Sequence, residues 1–363
     1  MAHHKSTIIK KVKSWRENLD LTRPYTIAYQ TIDSVENIFV YLETEDGLYG
    51  VGSGSPASFI TGESMDAADA VLADKLEDLL KGKDIRMIRQ HCRELQTSLP
   101  DTPAARMAVD IALHDILAKY YEIPLVDFLG RVHKAIPTSK TIGIKDSVEE
   151  MLSEADEHIN TGFKVIKLKI GRNMEKDIEY TAKLRERVGS TIGIRVDANQ
   201  GYTPRQLTEY AAKTEKFNIE LIEQPLHKSK DQEMSEVSED IRRICAADES
   251  LHNPADALKL AQSPQLFGIY NIKLMKCGGL YPAAQIADIA DTAGIQLMWG
   301  CMDESIISIT AGLHVAFACP ATRYLDLDGS FDLARDIVSG GFRLIDGLMT
   351  IPYEPGLGVK LRD

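Results

Sequence analysis

The sequence predicts an α/β fold built on a parallel barrel, and two observations carry the prediction. After about residue 135, short apolar segments recur, each followed by a helical stretch: TSKTIGI (138–144), KVIKLKIG (164–171), GIRVDANQ (193–200), IELIEQP (219–225), RICAADES (243–250), YNIKLMKCGG (270–279), IQLMWGCMDES (295–305) and RYLDLDGS (323–330). Strands alternating with helices imply parallel pairing, because a parallel neighbour is reached only through a long crossover. Eight such units over about two hundred residues suit a (β/α)8-type barrel. Secondly, no GxGxxG follows any of these strands, which leaves a doubly wound dinucleotide-binding sheet without support.

The part before the barrel mixes strands and helices. IFVYLETEDGLYGVG (38–52) reads as two strands joined by a turn at Asp46-Gly47. TPAARMAVDIALHDILAKYY (102–121) reads as a helix, with Thr102 as N-cap and Pro103 at the first helical position. Val109, Ala112, Leu113, Ile116, Leu117 and Tyr120 follow helical spacing and predict one buried face; His114 beside them reads as a packed or solvated histidine. The tail LMTIPYEPGLGVKL reads as a closing strand and loop.

Composition excludes several classes. The 363 residues are 44% hydrophobic and 26% charged, an ordinary globular balance. The net charge of -12 argues against nucleic acid or an anionic membrane as partner. No apolar run reaches spanning length, and MAHHKSTIIKKVKSW lacks the apolar core of a signal peptide. Cys92, Cys245, Cys277, Cys301 and Cys319 show no paired spacing and read as reduced thiols, so a cytoplasmic location is expected.

The ionisable residues fall at the C-terminal ends of the predicted strands, where barrel chemistry is built. Lys169, Asp197, Glu223, Asp248 and Lys273 are spaced 28, 26, 25 and 25 residues apart, one to each βα unit. A single strand-end carboxylate is ordinarily a cap or salt-bridge partner; an ordered set of five is harder to explain that way. Asp197, Glu223 and Asp248 supply three oxygen donors without His or Cys, which favours Mg2+ over zinc. Asn199 is placed to support them.

Lys167 and Lys169 lie two apart on one strand, so both ammonium groups point to one face, about 6.5 Å apart. At an effective dielectric of about 20 they repel by about 2.6 kcal/mol, enough to pull one lysine toward the neutral range as a general base. Proton removal beside a carboxylate gives an ene-diolate that needs concentrated positive charge, which a metal supplies. Lys273, four strands away, is expected to face Lys169 across the mouth, so that removal on one face and return on the other inverts a stereocentre.

KVIKLKIG, VDANQ, IEQP, ADES and NIKLMKCGG resemble the enolase superfamily, muconate-lactonizing-enzyme subgroup. LDLDGSFDL resembles, more narrowly, the dipeptide epimerases of the L-Ala-D/L-Glu type. The likeness extends through LTRPYTIAY, FITGESMD and PGLGV. It implies a (β/α)7β modified TIM barrel over residues 133–339 beneath an N-terminal α+β capping domain, 1–132, completed by 340–363. It implies Mg2+ on Asp197, Glu223 and Asp248, with Lys169 and Lys273 as acid/base pair and Lys167 assisting. Proton transfer between the two faces, through a metal-stabilised enolate, would invert the Cα of the C-terminal residue of a dipeptide. Asp326 and Asp328 match the carboxylates that receive the dipeptide's α-ammonium group, and Tyr25, Thr141 and Met302 are implied substrate contacts. A homo-oligomer is a further family expectation.

The sequence departs from those relatives in three places. Relatives acting on Ala-Glu carry an arginine in the capping-domain loop where alignment of LTRPYTIAYQT places Gln30. Asp303 stands where an apolar residue is usual, and Ser53 where a glutamate is common. Gln30 removes a positive charge and Asp303 adds a negative one, so neutral or cationic dipeptides are expected over Ala-Glu. o-Succinylbenzoate synthase or a cycloisomerase of the same subgroup shares the lysines and metal, but its substrate has no ammonium group for Asp326 and Asp328. A Schiff-base aldolase would not need three metal carboxylates. A barrel that binds without catalysis is the remaining alternative.

Overall fold

Eight parallel strands form a barrel in sequence order: Ser139–Ile142, Val165–Lys169, Gly193–Asp197, Ile219–Glu223, Cys245–Ala247, Ile269–Ile272, Gln296–Gly300 and Thr322–Asp326. The structure, a computed structural model, describes residues 6–22, 25–26, 31–32 and 34–362. A parallel bridge between Thr138 and Leu325 joins the eighth strand to the entry of the first. Each of the eight apolar segments of the sequence supplies one of these strands.

Helical crossovers follow the first seven strands, among them Val148–Asn160, Met174–Val188, Pro204–Thr214, Leu280–Thr292 and Ile306–Ala318. No helix follows Asp326 among the described residues, so the barrel is of the (β/α)7β kind. The chain instead runs into Val338–Gly340, which pairs antiparallel with Val359–Leu361. Near the end, Leu357 N donates to Asp115 Oδ1 at 2.8 Å, fastening the tail to the capping helix.

The capping domain is a three-stranded antiparallel sheet of Ile9–Asn18, Glu36–Thr44 and Tyr49–Gly54, covered by helices Met65–Leu80, Ile88–Ser98 and Pro103–Tyr120. The expected hairpin turn at Asp46-Gly47 joins the second and third strands, with Gly47 at φ 88°. Pro103–Tyr120 is buried on almost every side, not on the single face its spacing predicts, because it is wedged between this sheet and the barrel. Strand and helix approach closely enough that a Cβ on Gly52 would lie 1.8 Å from the Ala108 carbonyl oxygen, so Gly52→Ala would push the two apart.

Thr102 occupies the N-cap position but makes no side-chain cap. The carboxylate of Glu63 does so instead, accepting from Ala104 N and Ala105 N at 2.6 and 3.0 Å. The buried Glu63 is pushed up to about 6, by burial against the pull of those two amides. No helix among the described residues is long and apolar enough to cross a membrane.

Candidate active site

Strand register brings the predicted carboxylates together at one end of the barrel. Asp197 pairs with Lys169 on one side and Glu223 on the other. Ala246 pairs with Glu223, and Asp248, two residues on, returns to the same face. All three carboxylates are buried. Asn199 N donates to Asp197 Oδ1 at 2.9 Å, so Asn199 supports Asp197 through its backbone amide. Asn271 Nδ2 donates to Glu223 Oε1 at 2.7 Å. Glu223 Oε2 lies 2.9 Å from Lys167 Nζ but outside hydrogen-bond geometry, leaving an unsatisfied acceptor among the carboxylates.

Burial and the neighbouring Asp197 push the Glu223 carboxyl up to about 8. Burial also works against ionisation of the other two, but lysines prevail. Lys169 and Lys167 hold Asp197 below the usual carboxylate range, and Lys273 and Lys276 hold Asp248 well below it.

Lys169 and Lys273 stand four strands apart in the eight-stranded ring, on opposite sides of the mouth. Lys169 Nζ donates to Asp197 Oδ2 at 2.5 Å, and Lys273 Nζ to Asp248 Oδ2 at 2.8 Å. Burial acts to lower Lys273, but Asp248 and Glu223 raise it above the ordinary lysine value.

Lys167 is not the uncompensated charge beside Lys169 that its strand spacing predicts. Its ammonium lies 2.5 Å from Asp326 Oδ2, 2.9 Å from Glu223 Oε2 and 3.5 Å from Asp197 Oδ2. Against burial, these three carboxylates raise Lys167 well above the ordinary value. Lys167 therefore offsets the negative cluster, because three carboxylates from other strands face it.

The geometry also divides the Asp-x-Asp pair. Asp326 is occupied by Lys167 and by Ser139 Oγ, 2.5 Å from Oδ1, and is held below the ordinary value by Lys167 against burial. Asp328 accepts from Thr141 N at 2.9 Å, with Lys140 Nζ 3.9 Å away. Burial raises Asp328, with Lys140 pulling it down. Thr141 thus reaches the site through its amide, as the holder of Asp328.

Asp303 is half-buried at the end of the seventh strand, its carbonyl accepting from Ser55 Oγ of the capping domain at 3.0 Å. The half-buried Met302 donates its amide to Glu304 Oε1 at 2.8 Å. Gln30 and the side chain of Tyr25 lie outside the described residues. Ser53 is buried with no hydrogen bond to its hydroxyl, and nothing in the structure explains its replacement of a glutamate.

Sequence reasoning missed several groups. Lys276 Nζ lies 2.5 Å from both Asp248 Oδ1 and the Asp248 carbonyl oxygen. Glu304 is fully enclosed, and burial pushes it up to about 7. Glu249, beside Asp248, is pushed up to about 6 by burial and by Asp248 and Asp197. All three lie inside segments that carry the site, but a polar residue just past a strand end has the same local signature as a helix cap.

Residues 9–130 match the family model for the mandelate racemase / muconate lactonizing enzyme N-terminal domain, and residues 150–363 match the enolase C-terminal domain-like model. An L-Lys-D/L-Arg epimerase of Desulforapulum autotrophicum is 54% identical over 352 residues, covering 97% of this chain and 99% of that protein. A hydrophobic dipeptide epimerase of Enterococcus faecalis is 36% identical over 360 residues, covering 97% and 99%. A dipeptide epimerase from Methylococcus capsulatus, solved with Mg and the dipeptide L-Arg-D-Lys, superposes with a TM-score of 0.95 at 50% identity, covering 97% of this chain and 99% of that one.

Proposed function

The chain belongs to the mandelate racemase / muconate lactonizing enzyme family of enolase-like barrels, and from that premise we propose that it is a Mg2+-dependent dipeptide epimerase preferring cationic dipeptides. It is an isomerase that inverts the Cα of the dipeptide's C-terminal residue. The observation that carries this reading is the pair Lys169 and Lys273, set on opposite sides of the mouth with three buried carboxylates between them.

Those carboxylates fit a hard divalent cation. They offer oxygen donors alone, one oxygen of Glu223 lacks a hydrogen bond, and Glu223 is forced toward its neutral form by burial and by the neighbouring Asp197, whose charge a cation would offset. Asp197, Glu223 and Asp248 would hold it, and when bound it supplies positive charge to the substrate carboxylate as negative charge develops there.

The chain's own groups do the rest. Lys273, stabilised as an ammonium by Asp248 and Glu223, delivers a proton to Cα on its face, while Lys169 removes one on the other; the reverse reaction exchanges their roles. Lys167 offsets the charge of the carboxylate cluster and holds it in place. Asp328, less engaged than Asp326, receives the α-ammonium group of the dipeptide. Because Asp303, Asp326 and Asp328 already bring negative charge to the rim, an acidic side chain would enter without a cationic partner, at a cost on the order of several kcal/mol.

The cationic preference rests on Asp303 and on the relatives: identity is 54% to the L-Lys-D/L-Arg epimerase against 36% to the hydrophobic one. Steady-state kcat/KM for Lys-Arg, Ala-Lys, Ala-Leu and Ala-Glu dipeptides tests it. Highest values for the Lys- and Arg-containing pair support the reading; an enzyme working best on Ala-Glu overturns it.

A further inference from the structure

The segment carrying Lys273 is held from two sides. Lys273 follows strand Ile269–Ile272 and stands at the N-cap of the short helix Leu274–Cys277, after which Gly278 and Gly279 lead into helix Leu280–Thr292. On the barrel side, Lys276 reaches back to Asp248. On the other side lies the capping-domain helix Pro103–Tyr120.

Gly279, at the N-cap of Leu280–Thr292, has no side chain to satisfy the first amides of that helix. Asp110 of the capping domain does so: Leu280 N donates to Oδ1 at 2.7 Å and Tyr281 N to Oδ2 at 3.3 Å. Four residues earlier, Arg106 Nη1 donates to the Leu99 and Pro100 carbonyls, both at 2.7 Å, and Nη2 approaches the Cys277 carbonyl at 3.5 Å. The two glycines are what let these side chains in. Their φ values are 90° and 122°, and a Cβ on Gly278 would sit 2.6 Å from Arg106 Nε, one on Gly279 2.5 Å from Asp110 Cγ.

Cys92 and His114 close on the same carboxylate, their candidate ligand atoms and that of Asp110 lying within 4.8 Å of one another. Both Asp110 oxygens already accept backbone amides, and His114 Nδ1 lies 2.8 Å from the Asp110 carbonyl oxygen. The cluster is thereby accounted for as a helix cap within a packed interface.

We propose that Asp110, supported by Arg106, is a positioning residue for Lys273: the capping domain sets the placement of the Lys273–Gly279 segment and so governs proton transfer on the face Lys273 serves, selectively over the Lys169 face. The proposal rests on the two-face reading above. Lys169 stands on the far side of the ring and touches none of these groups, so a disturbance at Asp110 reaches one face first.

The experiment follows α-proton exchange in heavy water from each epimer of an accepted dipeptide separately. It compares the unmodified enzyme with Lys273→Ala, Asp110→Ala and Asp110→Asn, and measures Mg2+ affinity by calorimetry. Lys273→Ala identifies the face it serves. Asp110→Ala is expected to slow exchange on that face by about tenfold or more, while the other face and the Mg2+ affinity change by about twofold or less. Asp110→Asn, which keeps an acceptor for the Leu280 amide, is expected to fall between; if Asp110→Ala does not fold, it carries the comparison alone. Equal slowing of both faces, or of neither, by the Asp110 variants overturns the positioning role while a face-selective Lys273→Ala leaves the two-face reading standing. If Lys273→Ala itself slows both faces alike, the two-face reading fails and the proposal with it.

Discussion

Lys167 Nζ lies 2.5 Å from Asp326 Oδ2, tying the buried lysine of the second barrel strand to the first aspartate of the eighth-strand motif. The two aspartates of that motif therefore differ in what they do. Asp326 fixes the lysine that offsets the carboxylate cluster, and Asp328, held by the Thr141 amide, is the one proposed to receive the substrate's ammonium group.

Asp328→Asn is expected to lower kcat/KM chiefly through KM. Losing a charge-assisted hydrogen bond to the α-ammonium group corresponds to about 1.5–3 kcal/mol. Asp326→Asn is expected to act mainly on kcat. Its effect on the fold should be smaller than the about 3–5 kcal/mol of an orphaned buried charge, because Glu223 and Asp197 still face Lys167. Steady-state kinetics on one good dipeptide separate the two; matching KM increases in both variants would contradict the division.

Glu223→Gln is expected to abolish turnover and weaken Mg2+ binding while the barrel stays folded. Calorimetric titration and circular dichroism read the two halves of that statement. Full activity of the unmodified enzyme in excess chelator would refute the metal assignment.

Asp303→Asn is expected to weaken cationic dipeptides selectively. A lost charge-assisted hydrogen bond of about 1.5–3 kcal/mol lowers kcat/KM for Ala-Lys by about tenfold or more, while Ala-Leu is barely affected. Equal losses for the two dipeptides would remove the Asp303 carboxylate as the reader of a cationic side chain.

Stability should fall on the acid side because of His314. This histidine is buried, its Nδ1 accepts from Val126 N at 2.8 Å, and burial lowers its pKa to about 3 from the ordinary 6.5. Between those values the unfolded chain binds a proton that the folded chain refuses. The stabilisation is complete above about 6.5 and is lost as pH falls toward 3, at up to about 1.4 kcal/mol per pH unit. Urea unfolding at pH 7 and pH 5 is expected to show a shallower decline for His314→Asn than for the unmodified protein; parallel declines would remove His314 as the cause.

The barrel was legible because strands and helices leave different periodicities, and a residue at a strand's end announces its face. That is why Lys169, Asp197, Glu223, Asp248 and Lys273 could be placed on one rim from spacing alone. Partners across space were not legible. Lys167 was placed on the right face, but the carboxylates around it come from three other strands. Thr102 carried a local cap signature, yet Glu63, some forty residues earlier in the chain, caps helix Pro103–Tyr120. Lys276 and Asp110 escaped notice for the same reason: each acts on a backbone far from it in sequence.

The most direct test of the account is proton NMR of a Lys-Arg dipeptide incubated with the Mg2+-loaded enzyme in heavy water. Both epimers of the C-terminal residue are expected to appear with deuterium at Cα, Lys169→Ala and Lys273→Ala each to retain exchange from only one epimer, and the N-terminal Cα to keep its proton. Epimer formed without solvent deuterium, or deuterium entering at the N-terminal Cα instead, would contradict it.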